Sequence, residues 1–171
     1  MRRLWRADRR QPGGQVFVIR PFVPQDALQV AQVFFEAVHG LGPDAYSPTQ
    51  VDAWAPGLPD IQKIVNRALD GRVFLVAVDR GDLVVGYGDM EQNGHIDHLY
   101  CHPAAKRQGV ATAIYQRLEQ AAQGLDLKRL YVEASELALP FFTHQGFTLI
   151  ARQEVEQRGV LMHNYRMAKV L

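Results

Sequence analysis

The sequence predicts an α+β fold on three observations. The hydrophobic pattern changes period along the chain, three strand-like runs follow one another across short turns, and a helical segment stands between the third run and the next strand. Taken in order, "VFVIR" (16–20) reads as a short first strand, and residues 24–39 carry apolar side chains at helical spacing until Gly40 supplies a stop. Ser47, Pro48 and Gln50 then have the makings of a capping box: a serine N-cap, proline in the first helical position and a glutamine reaching back. "DIQKIVNRALDG" predicts a further amphipathic helix closed by Gly71. "RVFLVAV" and "LVVGYGDM" flank "DRGD", which by length and turn chemistry makes a hairpin, and "HIDHLYC" (95–101) follows across "EQNG".

After His102 and Pro103 the period switches from two to 3.6, with Val110, Ile114, Leu118 and Ala121 on one face of a helix that ends near Gly124. "RLYVEA" (129–134) is a strand, Ser135 is placed to cap "ELALPFFTHQG", and the rest reads as a closing hairpin turned at 157–159. The principal elements run β-α-α-β-β-β-α-β-α-β-β, with a strand-to-strand crossover through the helix that starts at Gly109.

Composition narrows the function classes. A chain of 171 residues, 47% hydrophobic and with both charge signs mixed through it, has material for one compact domain over 16–171. A net charge of +1 argues against nucleic acid as the main partner. Arg2, Arg3, Arg6, Arg9 and Arg10 precede "QPGGQ" and read as a flexible basic leader over 1–15. That leader lacks the apolar core of a signal peptide, and no later run approaches the roughly 20 apolar residues of a membrane span, so no membrane partner and a cytoplasmic location are expected. Cys101 is the only cysteine, which excludes an internal disulfide and suits a reducing compartment.

The stretch "KRQGVATA" (106–113) sets one glycine and small residues between two cations and a helix. The first amides of a helix are unpaired donors at the positive end of its dipole and can cradle a phosphate. Gly109 would let a ligand approach the backbone, and Lys106 and Arg107 bring positive charge beside it. By itself a glycine before a helix can equally be only a turn, and neither a dinucleotide-binding nor a Walker spacing is present.

"HIDHLYCHPAAKRQGVATAIYQRLEQAA" resembles motif A of the GNAT N-acetyltransferase superfamily, and "EASELALPFFTHQGF" resembles its motif B. With "YSPTQVDAWAP" and the closing hairpin, the similarity is to the YafP-like bacterial subgroup and runs from Val16 to Leu171. The resemblance implies a mixed, mostly antiparallel sheet of six to seven strands flanked by helices, splayed between the strands at 95–101 and 129–134. It implies acyl transfer from acetyl-CoA to an amine of a small molecule or peptide by direct attack. The pyrophosphate would lie on Arg107, Gln108, Gly109, Val110, Ala111 and Thr112 beside Lys106. The pantetheine would run along Leu99, Tyr100 and Cys101 as an added strand, near Ser135 and Phe142.

An amine attacks only as the free base, so a proton acceptor is needed. Asp97 stands where several members of the family carry an acidic base, and strand alternation puts 97, 99 and 101 on one face; Glu133 is the second candidate, and a water relay would also serve. Two departures from the pattern are Lys106, which keeps a cation, and Phe142, where many members have a tyrosine that protonates the leaving thiolate. Tyr100, Tyr46 or water could stand in, or a good leaving group needs no acid. Phe142 also keeps open an alternative function, an acyl-CoA-sensing module whose catalysis has decayed.

His95, Asp97, His98 and His102 raise the question of zinc, but alternation turns His98 away from His95 and Asp97, and no metal is expected. His98 is either packed or in the acceptor pocket, and Tyr46 and Trp54 fall in the helical region that covers the acceptor in this family or are core aromatics. The sequence does not name the acceptor, and it leaves room for a homodimer.

Overall fold

The computed structural model describes residues 17–171; the basic leader over 1–15, and Val16 of the expected first strand, lie outside the described residues. Among these residues are strands β1 (Phe17–Pro21), β2 (Val73–Asp79), β3 (Val84–Met90), β4 (Ile96–Cys101), β5 (Arg129–Ala134), β6 (Thr148–Gln157) and β7 (Val160–Val170). The α-helices are α1 (Ala27–Leu41), α2 (Pro48–Trp54), α3 (Ile61–Ala68), α4 (Val110–Gly124) and α5 (Leu139–His144). The expected α+β class is present, with three α-helices rather than two between β1 and β2.

β1 to β4 form one antiparallel sheet in sequence order, and β5, β7 and β6 form a second with β7 central. The two sheets meet at a single parallel bridge between His95 and Tyr131 and part beyond it, which is the splay the resemblance implied. Gly94 makes the vertex. Its φ is +90°, and a Cβ there would lie 2.4 Å from the Arg129 carbonyl oxygen, so any other residue would push the sheets apart at the point where they join.

Helix α4 lies on one face of the first sheet because Gly86 and Gly88 leave room for it. Cβ atoms at these positions would come within 2.7 Å of Val110 and 2.8 Å of Ile114. Ile114 and Leu118 are fully buried in the main core with Leu75, Leu130 and Met167, each such side chain contributing about 1.5–3 kcal/mol. On the other face, Val30 and Val33 of α1 meet Phe74, Val76 and Tyr87. A third cluster joins Val38, Tyr46 and Val51 to Met162 of β7, tying α1 and α2 to the second sheet.

Two local expectations are corrected. Gly40 does not stop the first helix, which continues to Leu41; a Cβ at 40 would sit 2.7 Å from Pro103, so this glycine serves close packing. Ser135 caps a turn rather than the helix proper: its Oγ accepts from Ala138 N–H, and α5 starts at Leu139. Ala121 is half-buried and packs against the main core as expected, beside the fully buried Ala122 and Tyr115. The capping box of α2 is present as expected, Ser47 and Gln50 exchanging bonds of 3.2 and 3.0 Å. The last hairpin turns on Arg158 and Gly159, both at positive φ, as a two-residue turn of this hand requires.

Candidate functional site

The segment between β4 and α4 presents its main chain. Arg107 and Gly109 have φ of +63° and +79°, and the amides of Arg107, Gly109, Val110, Ala111 and Thr112 have no acceptor among the described residues. Five free donors at the positive end of a 15-residue helix form a concavity for an anion. A non-glycine residue at positive φ such as Arg107 is costly, and such strain gathers at binding loops. Lys106 reaches sideways, Nζ lying 3.5 Å from Asp44, while Gln108 Nε2 donates to the Ala104 carbonyl. The elements beside this loop leave an opening with unpaired edges: past the bridge, the facing edges of β4 and β5 have no strand partner among the described residues.

β4 departs from regular alternation. Asp89 pairs with His98 but Met90 pairs with Ile96, so Asp97 is the extra residue of a β-bulge. This corrects the expected common face. Leu99 and Cys101 pack with the α4 core, whereas Asp97 is turned toward α3 with its neighbour His98. Asp97 Oδ2 accepts from Arg67 and, at 3.2 Å, from Arg72. Burial pushes the Asp97 carboxyl up, but His98, Arg67 and Arg72 outweigh it and hold the group below the usual carboxylate range.

The same cluster contains fully buried Asp89, which accepts from Arg72 at 2.8 Å and stands 2.8 Å from His98 Nδ1. Asp89, Asp97 and His98 offer ligand atoms within 4.8 Å of one another, so the expected separation of His98 from Asp97 is also corrected. Two guanidiniums already supply the positive charge there. The other two histidines are elsewhere: His95 joins Glu133, and His102 joins Glu36.

Glu133 has different company from Asp97. Its carboxylate accepts from His95 Nε2 at 2.5 Å, and His95 Nδ1 lies 3.3 Å from Glu91. The His95 ring stacks on Tyr131 at 4.8 Å, which fixes the dyad at the vertex of the splay.

Two cavities occupy the opening. One of about 220 Å³ is mostly apolar and runs from Val38 and Leu41 of α1 past Leu99, Cys101 and Ala111 to Phe141. The other, about 250 Å³, is lined by Tyr46, Asp97, Glu133 and, from the second sheet, Val155, Met162 and Asn164. Trp54, Leu99, Tyr100, Ser135, Ala138 and Phe142 line both, so the cavities communicate at the splay. Tyr46 and Trp54 are thus brought to the site as well as packed, their rings edge to face at 5.4 Å. His98 lines neither cavity and belongs to the ion cluster behind the wall.

The remaining expected residues divide by how they present themselves. The Cys101 thiol faces the core, where burial pushes it up to about 12, so this residue offers its backbone. Phe142 is 2% exposed and packs edge to face against Tyr115, Phe141 and Phe147. Burial pushes the Tyr100 and Tyr46 phenols up, so both keep their protons at neutral pH.

The sequence reading missed one wall of the second cavity. Glu136 accepts from His163 Nε2 at 2.5 Å and from Tyr165 at 2.7 Å, and its own amide donates to Tyr46 Oη at 2.8 Å. Asn164 lines the cavity, and its side-chain oxygen, closed to solvent, has no donor among the described residues, a deficit of about 1–3 kcal/mol. The one signal for it in the sequence is a polar residue in step with buried Met162 on a strand.

The acetyltransferase (GNAT) domain family matches residues 43–169. The uncharacterised N-acetyltransferase YafP of Escherichia coli strain K12 is 31% identical over 149 residues, covering 87% of this chain and 93% of that protein. A GCN5-related N-acetyltransferase from Rhodopseudomonas palustris superposes with a TM-score of 0.83 at 33% identity, over 93% of this chain and 100% of that one. The PaiA N-acetyltransferase of Thermoplasma acidophilum, solved with coenzyme A, shares the fold at TM-score 0.74 and 14% identity, over 91% and 99% of the two chains.

Proposed function

The chain belongs to the GNAT acetyltransferase family, and on that premise we propose that it transfers an acetyl group from acetyl-CoA to a primary amine of a small molecule or peptide by direct attack in a ternary complex. The observation that carries the reading is the row of unpartnered amides from Arg107 to Thr112 at the mouth of the splay. The donor set fits a pyrophosphate: neutral backbone N–H groups, a helix dipole and the cations of Lys106 and Arg107. The free edge of β4 at Leu99 to Cys101 fits a pantetheine arm, which has amides of its own to pair. Acetyl-CoA supplies the thioester; the chain binds, orients and takes up a proton. In this reading the reaction takes place in the cytoplasm.

We assign the base to Glu133 rather than to Asp97. A carboxylate held by two guanidiniums has little tendency to take a proton, whereas Glu133 faces the cavity, is 38% exposed and can release its proton to water. His95 keeps Glu133 oriented through the 2.5 Å bond. Asp97 keeps Arg67 and Arg72 in place and thereby holds the bulge that opens the splay. No phenol stands at 142, and a thiolate with a solution pKa of about 8.5 leaves near neutral pH with little help from an acid.

The test couples calorimetry of CoA binding with thiol release from acetyl-CoA over a panel of amines and short peptides. Binding with CoA, turnover with at least one amine and intersecting double-reciprocal plots are expected. Parallel plots would point to an acetylated enzyme and overturn direct attack; absence of CoA binding would overturn the reading as a whole.

A further inference from the structure

We infer that the cavity beside Asn164 selects compact amines with no carboxylate next to the amine, the Asn164 side-chain oxygen receiving one N–H of the acceptor; this deepens the acetyl-transfer reading and rests on it. An amide oxygen has only acceptor capacity; Asn164 lines the cavity, its Oδ1 is closed to solvent without a donor among the described residues, and a turn of the side chain brings that oxygen to the acceptor. An amine brought to the thioester carries the missing N–H. Two neighbouring polar groups are engaged already: His163 is bonded to Glu136, and Tyr46 Oη accepts from the Glu136 amide.

Charge sets the second half of the inference. Among the described residues no lysine or arginine lines this cavity, and its lining carboxylates are Asp97 and Glu133. The nearby guanidiniums of Arg67 and Arg72 are spent on Asp70, Asp89, Glu91 and Asp97. An α-carboxylate entering here would leave water for a site whose nearby cations are already paired and where the Glu133 carboxylate repels it. The apolar body of the acceptor has Trp54, Tyr100, Val155 and Met162 to pack on, within about 250 Å³.

The experiment measures thiol release by the full chain with matched pairs, 2-phenylethylamine against phenylalanine and 3-methylbutylamine against leucine. The carboxylate-free member of each pair is expected to show a kcat/KM higher by about tenfold or more. Asn164→Leu should raise KM for that amine by about tenfold with little change in kcat, as loss of a ground-state hydrogen bond does. Asn164→Asp, which keeps an acceptor oxygen, should restore KM to within about threefold. CoA affinity, followed by calorimetry, should be the same in all three proteins. Amino acids turned over as well as their amines, silence with all four compounds, or an unchanged KM in Asn164→Leu would overturn the inference while CoA binding keeps the broader reading intact. A wild-type protein that binds no CoA would fell both.

Discussion

On the α4 side of the splay the binding groups are main-chain amides from one short stretch, residues 107 to 112. On the side of the second sheet they are side chains from α2, β4, β5, β6, β7 and the loops between them: Trp54, Asp97, Glu133, Val155, Asn164 and Tyr46. In the proposed reading the first side takes a ligand shared by many enzymes, so main-chain groups suffice, provided one residue yields room. In the same reading the second recognises one acceptor among many, which only side chains can do. Damage to the two sides should accordingly look different: loss of cofactor binding on one, loss of turnover or of KM for the amine on the other.

The largest effect is expected from Gly109→Glu. It adds a side chain at a φ of +79° and a negative charge among the free amides, and should abolish CoA binding in calorimetry on a protein whose circular dichroism is unchanged. Unaltered affinity would erase the contrast between the two sides.

Next comes Glu133→Gln, which should lower turnover by about 10² to 10⁴ at neutral pH with CoA affinity kept, the deficit shrinking at high pH where the amine is already free. Asp97→Asn should lose less than about tenfold in turnover, since its carboxylate serves the two arginines. The reverse ranking, read from pH–rate profiles, would return the base to Asp97.

The ion cluster behind the wall should show in stability. Asp89 is fully buried and Arg72 is 7% exposed, so Asp89→Asn leaves a buried guanidinium short of a partner and should cost about 3–5 kcal/mol in urea unfolding. Because the Asp97 carboxyl is held below its ordinary value, its share of stability is fully present above that value and is lost as pH falls through the lowered one. Wild type should therefore lose stability below about pH 4, and Asp97→Asn should show less of this acid dependence.

Phe142 gives the smallest effect on chemistry. Phe142→Tyr should leave turnover within about tenfold, because thiolate departure needs little acid help. Phe142→Ala should act through stability, at about 3–5 kcal/mol, by emptying the space among Tyr115, Phe141 and Phe147. Strong activation by Phe142→Tyr in an otherwise silent protein would instead identify a module whose catalysis had decayed.

The sequence by itself determined what depends on neighbours along the chain. The strands at 73–79, 84–90 and 129–134, the capping box at Ser47 and the glycine start of α4 were legible because period, turn residues and caps act over a few residues. Motif order along the chain also pointed to the splay. Tertiary structure decided what depends on two distant segments meeting. Gly40 reads as a stop signal until Pro103 is packed on it, and Asp97 reads as a free pocket base until the β3–β4 bulge sets it at the cavity wall in the grip of Arg67 and Arg72. His95 became a partner of Glu133 only because the sheets join at that residue, and Asn164 gained its place in the cavity only when β7 came to lie opposite α2. A cradle of amides is a local conformation and is written locally, whereas the charge, shape and hydrogen-bond deficit of a cavity are sums over elements far apart in the chain, and the fold performs that sum.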